Sequence, residues 1–285
     1  MSAALNPEQQ FKMAMLAAGI DPPTSIIPDG ELHRFKINGK LDGAYVLHVT
    51  GRAAGYFQDF KQNIKVTWKM SGDFAPLTPS EKRGFAIDRH RQKLIKQSED
   101  QTRYIWAASK AAGIWSRATA VINHPYLERK RVKAHSLRVY FDALVVPLYD
   151  KTGLLVSLQF IKADGSKRMM KGGKAQGASC SIGTVPDLDY DKPVLVCEGW
   201  ATGASLFEAT GYFVVIAFSA GNLAAVALQT RNTYQTKEII VCGDNDVSGV
   251  GQAAAEAAAL SIGGRFIIPD QVGQDFNDMI NGAAL

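Results

Sequence analysis

The sequence predicts an α/β protein. Its C-terminal third reads as a four-stranded parallel sheet flanked by helices, preceded by a basic α+β module and a small N-terminal α+β unit. Three observations carry this reading. Two apolar runs, Val194–Cys197 and Ile239–Cys242, have the length and composition of buried strands and end abruptly in carboxylates at Glu198, Asp244 and Asp246. Strand-like and helix-like segments alternate from 194 to 268, the pattern of parallel strands joined by crossover helices. Charge is also unevenly divided: residues 82–138 carry 14 basic and 4 acidic side chains, whereas 187–285 carry 4 and 12, within a net charge of only +5 over 285 residues. The expected boundaries are 1–77, 78–186 and 187–285.

Within 1–77, Phe11, Met15 and Leu16 give a short amphipathic helix that Pro22-Pro23 ends. Arg34–Lys36, Tyr45–Val49 and Val66–Trp68 read as strands around turns at Asp42-Gly43 and Gly51. This unit shows no nucleophile, metal cluster or phosphate loop.

Residues 78–117 open on a helix-start signal, with Thr78 as N-cap, Pro79 at the first helical position and Glu81 completing a capping box. Arg83, Arg89, Arg91, Lys93 and Lys96 line the helix, and Phe85, Ile87, Leu94 and Ile95 are available for burial. The basic excess marks Arg83, Arg89, Arg91 and Lys93 for nucleic-acid contact. Tyr104, Trp106, Trp115 and Tyr126 are interleaved; aromatics can stack unpaired bases, but at these spacings most are expected in the core.

His124 reads as a turn residue before the strand Leu144–Leu148. A hairpin strand, 154–161, turns at Asp164-Gly165 into Lys167-Arg168-Met169-Met170 and runs into Lys171-Gly172-Gly173-Lys174. Backbone amides and lysines in such a loop suit phosphate, which marks Lys167, Arg168, Lys171 and Lys174.

The C-terminal elements follow in order: strand 194–198, helix near 201–210, strand 214–218, a Ser219–Asn222 loop, helix near 222–230, strand 238–243, an alanine-rich helix near 250–261 and strand 265–268. In an Asp-x-Asp pair leaving a strand, residues i and i+2 point to the same side, so Asp244 and Asp246 can share a divalent ion, with Glu198 completing the cluster. The same pattern also describes a turn capping the next helix, and Asp275-Phe276-Asn277-Asp278 can equally cap a short terminal helix.

Glu198-Gly199, then Asp244-Asn245-Asp246-x-x-Gly249, then Asp275 to Asp278, all in register with βα units, resemble the TOPRIM domain of topoisomerases, bacterial primases and some nucleases. The segment before it is similar to primases of phages and conjugative plasmids: His124-Pro125-x-Leu127, an apolar strand with Pro147, a strand with Gln159, and the basic Gly-Gly loop. One position departs from the bacterial replicative primases, which carry a further acid where this chain has Thr202.

The resemblance implies a DNA primase that joins ribonucleotides on single-stranded DNA. Glu198, Asp244, Asp246, Asp275 and Asp278 would hold Mg²⁺ or Mn²⁺, and the basic hairpin would orient ribonucleoside triphosphate and template. A metal-dependent nuclease and a non-catalytic nucleic-acid-binding protein are the alternatives. The chain has neither a zinc-ribbon pattern nor a Gly-x-x-x-x-Gly-Lys-Ser/Thr loop, so unwinding is expected from a replicative helicase in trans. With no signal peptide or long apolar run, the expected location is the cytosol, with no membrane contact. Cys180, Cys197 and Cys242 are isolated and expected reduced and buried.

Overall fold

A computed structural model describes residues 6–49, 51–62, 64–72 and 78–282. The chain divides into two compact units, 1–88 and 89–285.

In the first unit, helix α1 (Pro7–Ala17) is capped by Asn6, whose side chain and that of Gln9 exchange bonds with each other's backbone amides. It packs Phe11 and Met15 on an antiparallel sheet of β1 (His33–Ile37), β2 (Lys40–His48), β3 (Ala54–Asp59) and β4 (Ile64–Lys69), in that order. Leu16, expected on the apolar face, is exposed. The hairpin turn lies at Asn38-Gly39, both at positive φ, and not at Asp42-Gly43. Asn-Gly suits the turn whose twist matches the strands. Gly43 instead sits inside β2 opposite Phe35, whose ring lies 2.5 Å from where a Cβ would be. Strand β3 has no counterpart among the predicted strands.

Helix α2 (Pro79–Arg117) starts at the predicted cap, with Thr78 and Glu81 bonded reciprocally. Its last turns bury Ala107, Ala111 and Ile114. The apolar residues of its first half are not buried as expected: Ile87 and Leu94 are 61% and 52% exposed, and Ile95 is also exposed. The cap and the helix-forming residues sustain this stretch, in which Phe85 is only half-buried.

The second unit holds two sheets. One is antiparallel, with β5 (Thr119–Ala120), β6 (Arg138–Tyr140), β7 (Ala143–Tyr149), β8 (Leu155–Ile161) and β9 (Lys167–Met169) in sequence order; the short helix α3 (Pro125–Lys130) lies between β5 and β6 in the chain. One face of this sheet, with Val145 and Leu158, packs on α2; the other, with Leu144, Val146 and Ile161, joins the core below the second sheet.

The second sheet runs β10-β12-β11-β13-β14, built from β10 (Cys180–Ile182), β11 (Val194–Cys197), β12 (Val214–Ile216), β13 (Ile239–Cys242) and β14 (Arg265–Ile267). Four strands are parallel, as predicted. The fifth, β10, is an added antiparallel edge strand drawn from the segment assigned to the basic module. Helices α4 (Trp200–Thr210), α5 (Ala220–Thr233), α6 (Val250–Ser261) and α7 (Phe276–Asn281) complete the unit. Strand alternation sorts the core: Leu195 and Cys197 face α4 and α7, while Val194 and Val196 face α5 and α6. All three cysteines are free and buried.

Candidate active site at the strand ends

Parallel pairing of β11 with β13, with Cys197 opposite Cys242, brings Glu198 and Asp244 out of adjacent strand ends. On the other side of β11 the pairing with β12 runs on past the strand ends: Phe218 N donates to Glu198 O at 2.8 Å. The Glu198 carboxylate accepts from the Ala220 amide, the first residue of α5, and burial raises its pKa.

The Asp244-Asn245-Asp246 motif is sorted by alternation. Asn245 turns inward, donating to Pro269 O at 2.8 Å and accepting from Gln252 Nε2 at 2.7 Å. Asp246 takes the helix-capping role: Ser248 Oγ donates to one carboxylate oxygen and Gly251 N, at 2.7 Å, to the other, which holds its pKa low. Asp244 does neither. Its Oδ1 is buried and, among the described residues, has no hydrogen-bond partner. Burial first, then the charges of Glu198, Asp275 and Asp246, push its pKa up to about 7, against a smaller lowering by Lys167. A buried carboxylate oxygen left unsatisfied costs about 1–3 kcal/mol.

Asp275 and Asp278 are placed differently. Asp275 is the N-cap of α7 and accepts from Asp278 N at 2.9 Å; the Asp278 carboxylate answers at Asp275 N. Lys130 of α3 pairs with both, at 3.8 Å to Asp275 and 3.2 Å to Asp278. Buried Asn277 donates to Lys130 O and Ser205 Oγ, both at 2.7 Å, locking α7 onto α3 and α4. Lys130 was not singled out from the sequence, where nothing pairs it with acids almost 150 residues later. Beneath this corner, Tyr126 is 2% exposed, its hydroxyl has no hydrogen-bond partner among the described residues, and burial pushes its pKa up to about 12.

The four basic hairpin residues do not form one site. Lys167 lies opposite Ile161, on the face toward the acids, and its Nζ is 3.9 Å from where a Cβ on Gly199 would be. Its charge acts on both Glu198 and Asp244. Arg168 pairs with Phe160 and therefore faces the α2 side. Lys171 is exposed on the following loop, where Gly172 meets Arg103 of α2. Lys174 acts on Asp150 instead.

On α2, Arg83, Arg89, Arg91 and Lys93 are all exposed. Arg89 and Lys93, four residues apart, share one side; Arg91 points to the other. Of the interleaved aromatics, Tyr126 is buried, Tyr104 and Trp115 are half-buried, and Trp106 is 74% exposed, so fewer are core than expected. Arg138 stacks 4.4 Å over Trp115. His124 caps α3, accepting from Tyr126 N, which is the turn role predicted.

Among the described residues, no three His, Cys, Asp or Glu side chains stand together as a ready-made metal cage. Mg²⁺ is commonly bound by one or two carboxylates, with waters and substrate phosphate completing its shell. The donor set here fits such a hard cation, because an unpartnered buried oxygen of Asp244 adjoins Glu198.

Residues 193–283 match a family model described as the Toprim domain. The chain is 31% identical, over 94% of its length, to a DNA primase TraC of Escherichia coli, and 31% identical over 93% to a second protein of that name and organism. It spans 27% and 20% of the length of these two curated relatives. Among solved structures, a DnaG primase catalytic domain bound to ssDNA aligns with 65% of this chain and 76% of its own, at 12% identity and a TM-score of 0.43. The C-terminal part of the second unit therefore matches a Toprim domain, and the chain is similar along nearly its whole length to part of two curated proteins named DNA primase TraC.

Proposed function

We propose that this chain is a primase module that joins ribonucleotides on a single-stranded DNA template. The observation that carries the reading is the pairing of opposites at one set of strand ends: Asp244, with a buried oxygen unpartnered among the described residues, and half-buried Glu198 face a lysine delivered by the basic hairpin. The alignment with DNA primase TraC supports it.

Glu198, Asp244 and Asp246 would hold Mg²⁺ or Mn²⁺. Bound there, a divalent cation would supply Lewis acidity, lowering the pKa of an attacking 3′-hydroxyl and screening charge on leaving pyrophosphate. Lys167 binds and orients the incoming triphosphate beside the acids. Arg168 and Lys171, on the α2 side, contact the template backbone; the exposed Arg89 and Lys93, on one side of α2, and Arg91 and Arg83 each add phosphate contacts of their own, while Lys174 contributes to the field of the loop. Asp275 and Asp278 are occupied by the α7 cap and Lys130, and Asp275 adds its charge to the field around Asp244. Strand separation is left to a replicative helicase in trans. Among the described residues, no helix is long and apolar enough to cross a membrane.

A nuclease would need acids at the same strand ends, so the test must see both reactions. Labelled ribonucleotides and a labelled mixed-sequence single-stranded template are incubated with Mg²⁺ or Mn²⁺. Short products from the wild type that are lost in Asp244→Asn are the expected result; a shortened template would assign cleavage instead.

A further inference from the structure

We propose that Asn222 is a positioning residue, a clamp that ties the loop leaving the basic hairpin to the helix N-terminus holding Glu198. The proposal rests on reading Glu198 as a site acid. Asn222 is the third residue of α5 and is 4% exposed. Its Oδ1 accepts from Gly177 N at 2.7 Å. Its Nδ2 donates to Ala178 O at 2.9 Å, Ala217 O at 2.8 Å and Ala175 O at 3.2 Å. With two hydrogens serving three carbonyls, one N–H is shared.

Those four backbone groups belong to two segments far apart in the chain. Ala175, Gly177 and Ala178 lie in the loop between β9, which carries Lys167, and the edge strand β10. Ala217 directly follows β12, and the next residues deliver the amides of Phe218 and Ala220 to the Glu198 carbonyl and carboxylate. The same junction is packed as well as bonded: Ala178 is buried with Leu148 and Val156, and Met169, Ala175 and Phe218 pack against them. Phe218 adopts φ +69 there, a left-handed conformation uncommon for a non-glycine residue. Surrounding contacts must hold such a backbone in place. Asn222 is the polar side chain that bonds both sides of this junction. An aspartate lacks the donors, and an alanine leaves buried amide and carbonyl groups without partners.

The prediction is that losing the clamp loosens the Glu198 anchorage itself. Amide hydrogen exchange and Mn²⁺ binding are measured on the full chain for wild type, Asn222→Ala and Thr230→Ala. Thr230 is a control in the same helix, also buried, with its hydroxyl bonded to Val226 O. In Asn222→Ala the Gly177, Phe218 and Ala220 amides should exchange about tenfold faster. The Mn²⁺ dissociation constant should rise about tenfold, as when a residue supporting a ligand is lost. Thr230→Ala should shift both by less than about twofold. Wild-type exchange at Phe218 and Ala220 in Asn222→Ala overturns the proposal, and so does equal loosening in Thr230→Ala. If the wild type binds no Mn²⁺, the metal reading fails, and the exchange rates alone decide whether Asn222 positions Glu198. If Asn222→Ala does not fold, Asn222→Asp, which keeps the acceptor for Gly177 N, is read by exchange: Phe218 and Ala220 should quicken while Gly177 stays protected, and unchanged Phe218 and Ala220 overturn the proposal.

Discussion

Two corners of the second unit each combine two carboxylates with a lysine, and they have opposite outcomes. At the α7 corner, Asp275, Asp278 and Lys130 satisfy one another through a reciprocal cap and two ion pairs. At the strand ends, among the described residues, Asp244 Oδ1 has no hydrogen-bond partner, half-buried Glu198 has its pKa raised by desolvation, and Lys167 acts on both from the neighbouring sheet with no ion pair to either. Partnered charges fasten helices to a core. Charges assembled but left unpartnered hold free energy that a ligand can release, and that is the physical reason to place the chemistry at the strand ends.

The comparison predicts unequal effects of similar substitutions. The largest is Asp244→Asn, expected to lower primer synthesis by about 100-fold or more, the scale for losing one preorganised electrostatic group. Asp275→Asn should lower it by less than about tenfold, because asparagine is as good an N-cap as aspartate. A deficit in Asp275→Asn matching that of Asp244→Asn would erase the distinction between the corners.

Lys167→Ala should come next, raising the KM for nucleotide about tenfold, a loss of about 1.4 kcal/mol. Arg168→Ala, on the other face of β9, should instead weaken single-stranded DNA binding and reduce its salt dependence by about 0.7 in log–log slope. Nucleotide titrations and salt-dependent binding isotherms separate the two; identical phenotypes would mean that the strand does not divide their roles.

Stability should move in the opposite direction from activity at Asp244. Its raised pKa means that the folded state binds the proton more tightly than the unfolded one, so the wild type loses stability as pH rises from about 4 through 7. Without divalent cations, Asp244→Asn should therefore be more stable by about 2 kcal/mol at pH 8, a discounted figure because the side chain is only part-buried, and the difference should vanish near pH 4. Thermal melts with a chelator at both pH values check this, and added Mn²⁺ should restore the wild type alone. The smallest effect is at the structural corner: Asp278→Ala should cost about 1 kcal/mol at neutral pH by removing half of the α7 capping box.

Much of this was legible in sequence, because strand–helix alternation and the position of acids at strand ends follow from local composition. Other features depended on tertiary partners. The three-residue strand β10 has no pattern of its own and exists because β12 offers an edge. Asn38-Gly39 outcompeted Asp42-Gly43 for the hairpin because only the former shortens the loop to two residues with both at positive φ. The opposed faces of Lys167 and Arg168 required the register of β9 on β8. Asn222 was visible only as part of a loop, since its partners lie more than 40 residues upstream as well as five residues away.

The chemistry proposed for this chain belongs to the unpartnered carboxylate at the strand ends. It is tested most directly by Mn²⁺-dependent incorporation of labelled ribonucleotides on mixed single-stranded DNA, comparing wild type, Asp244→Asn and Asp275→Asn in one assay. Short products are expected from wild type and Asp275→Asn, with about 100-fold less or none from Asp244→Asn. Primer synthesis retained in Asp244→Asn would contradict it.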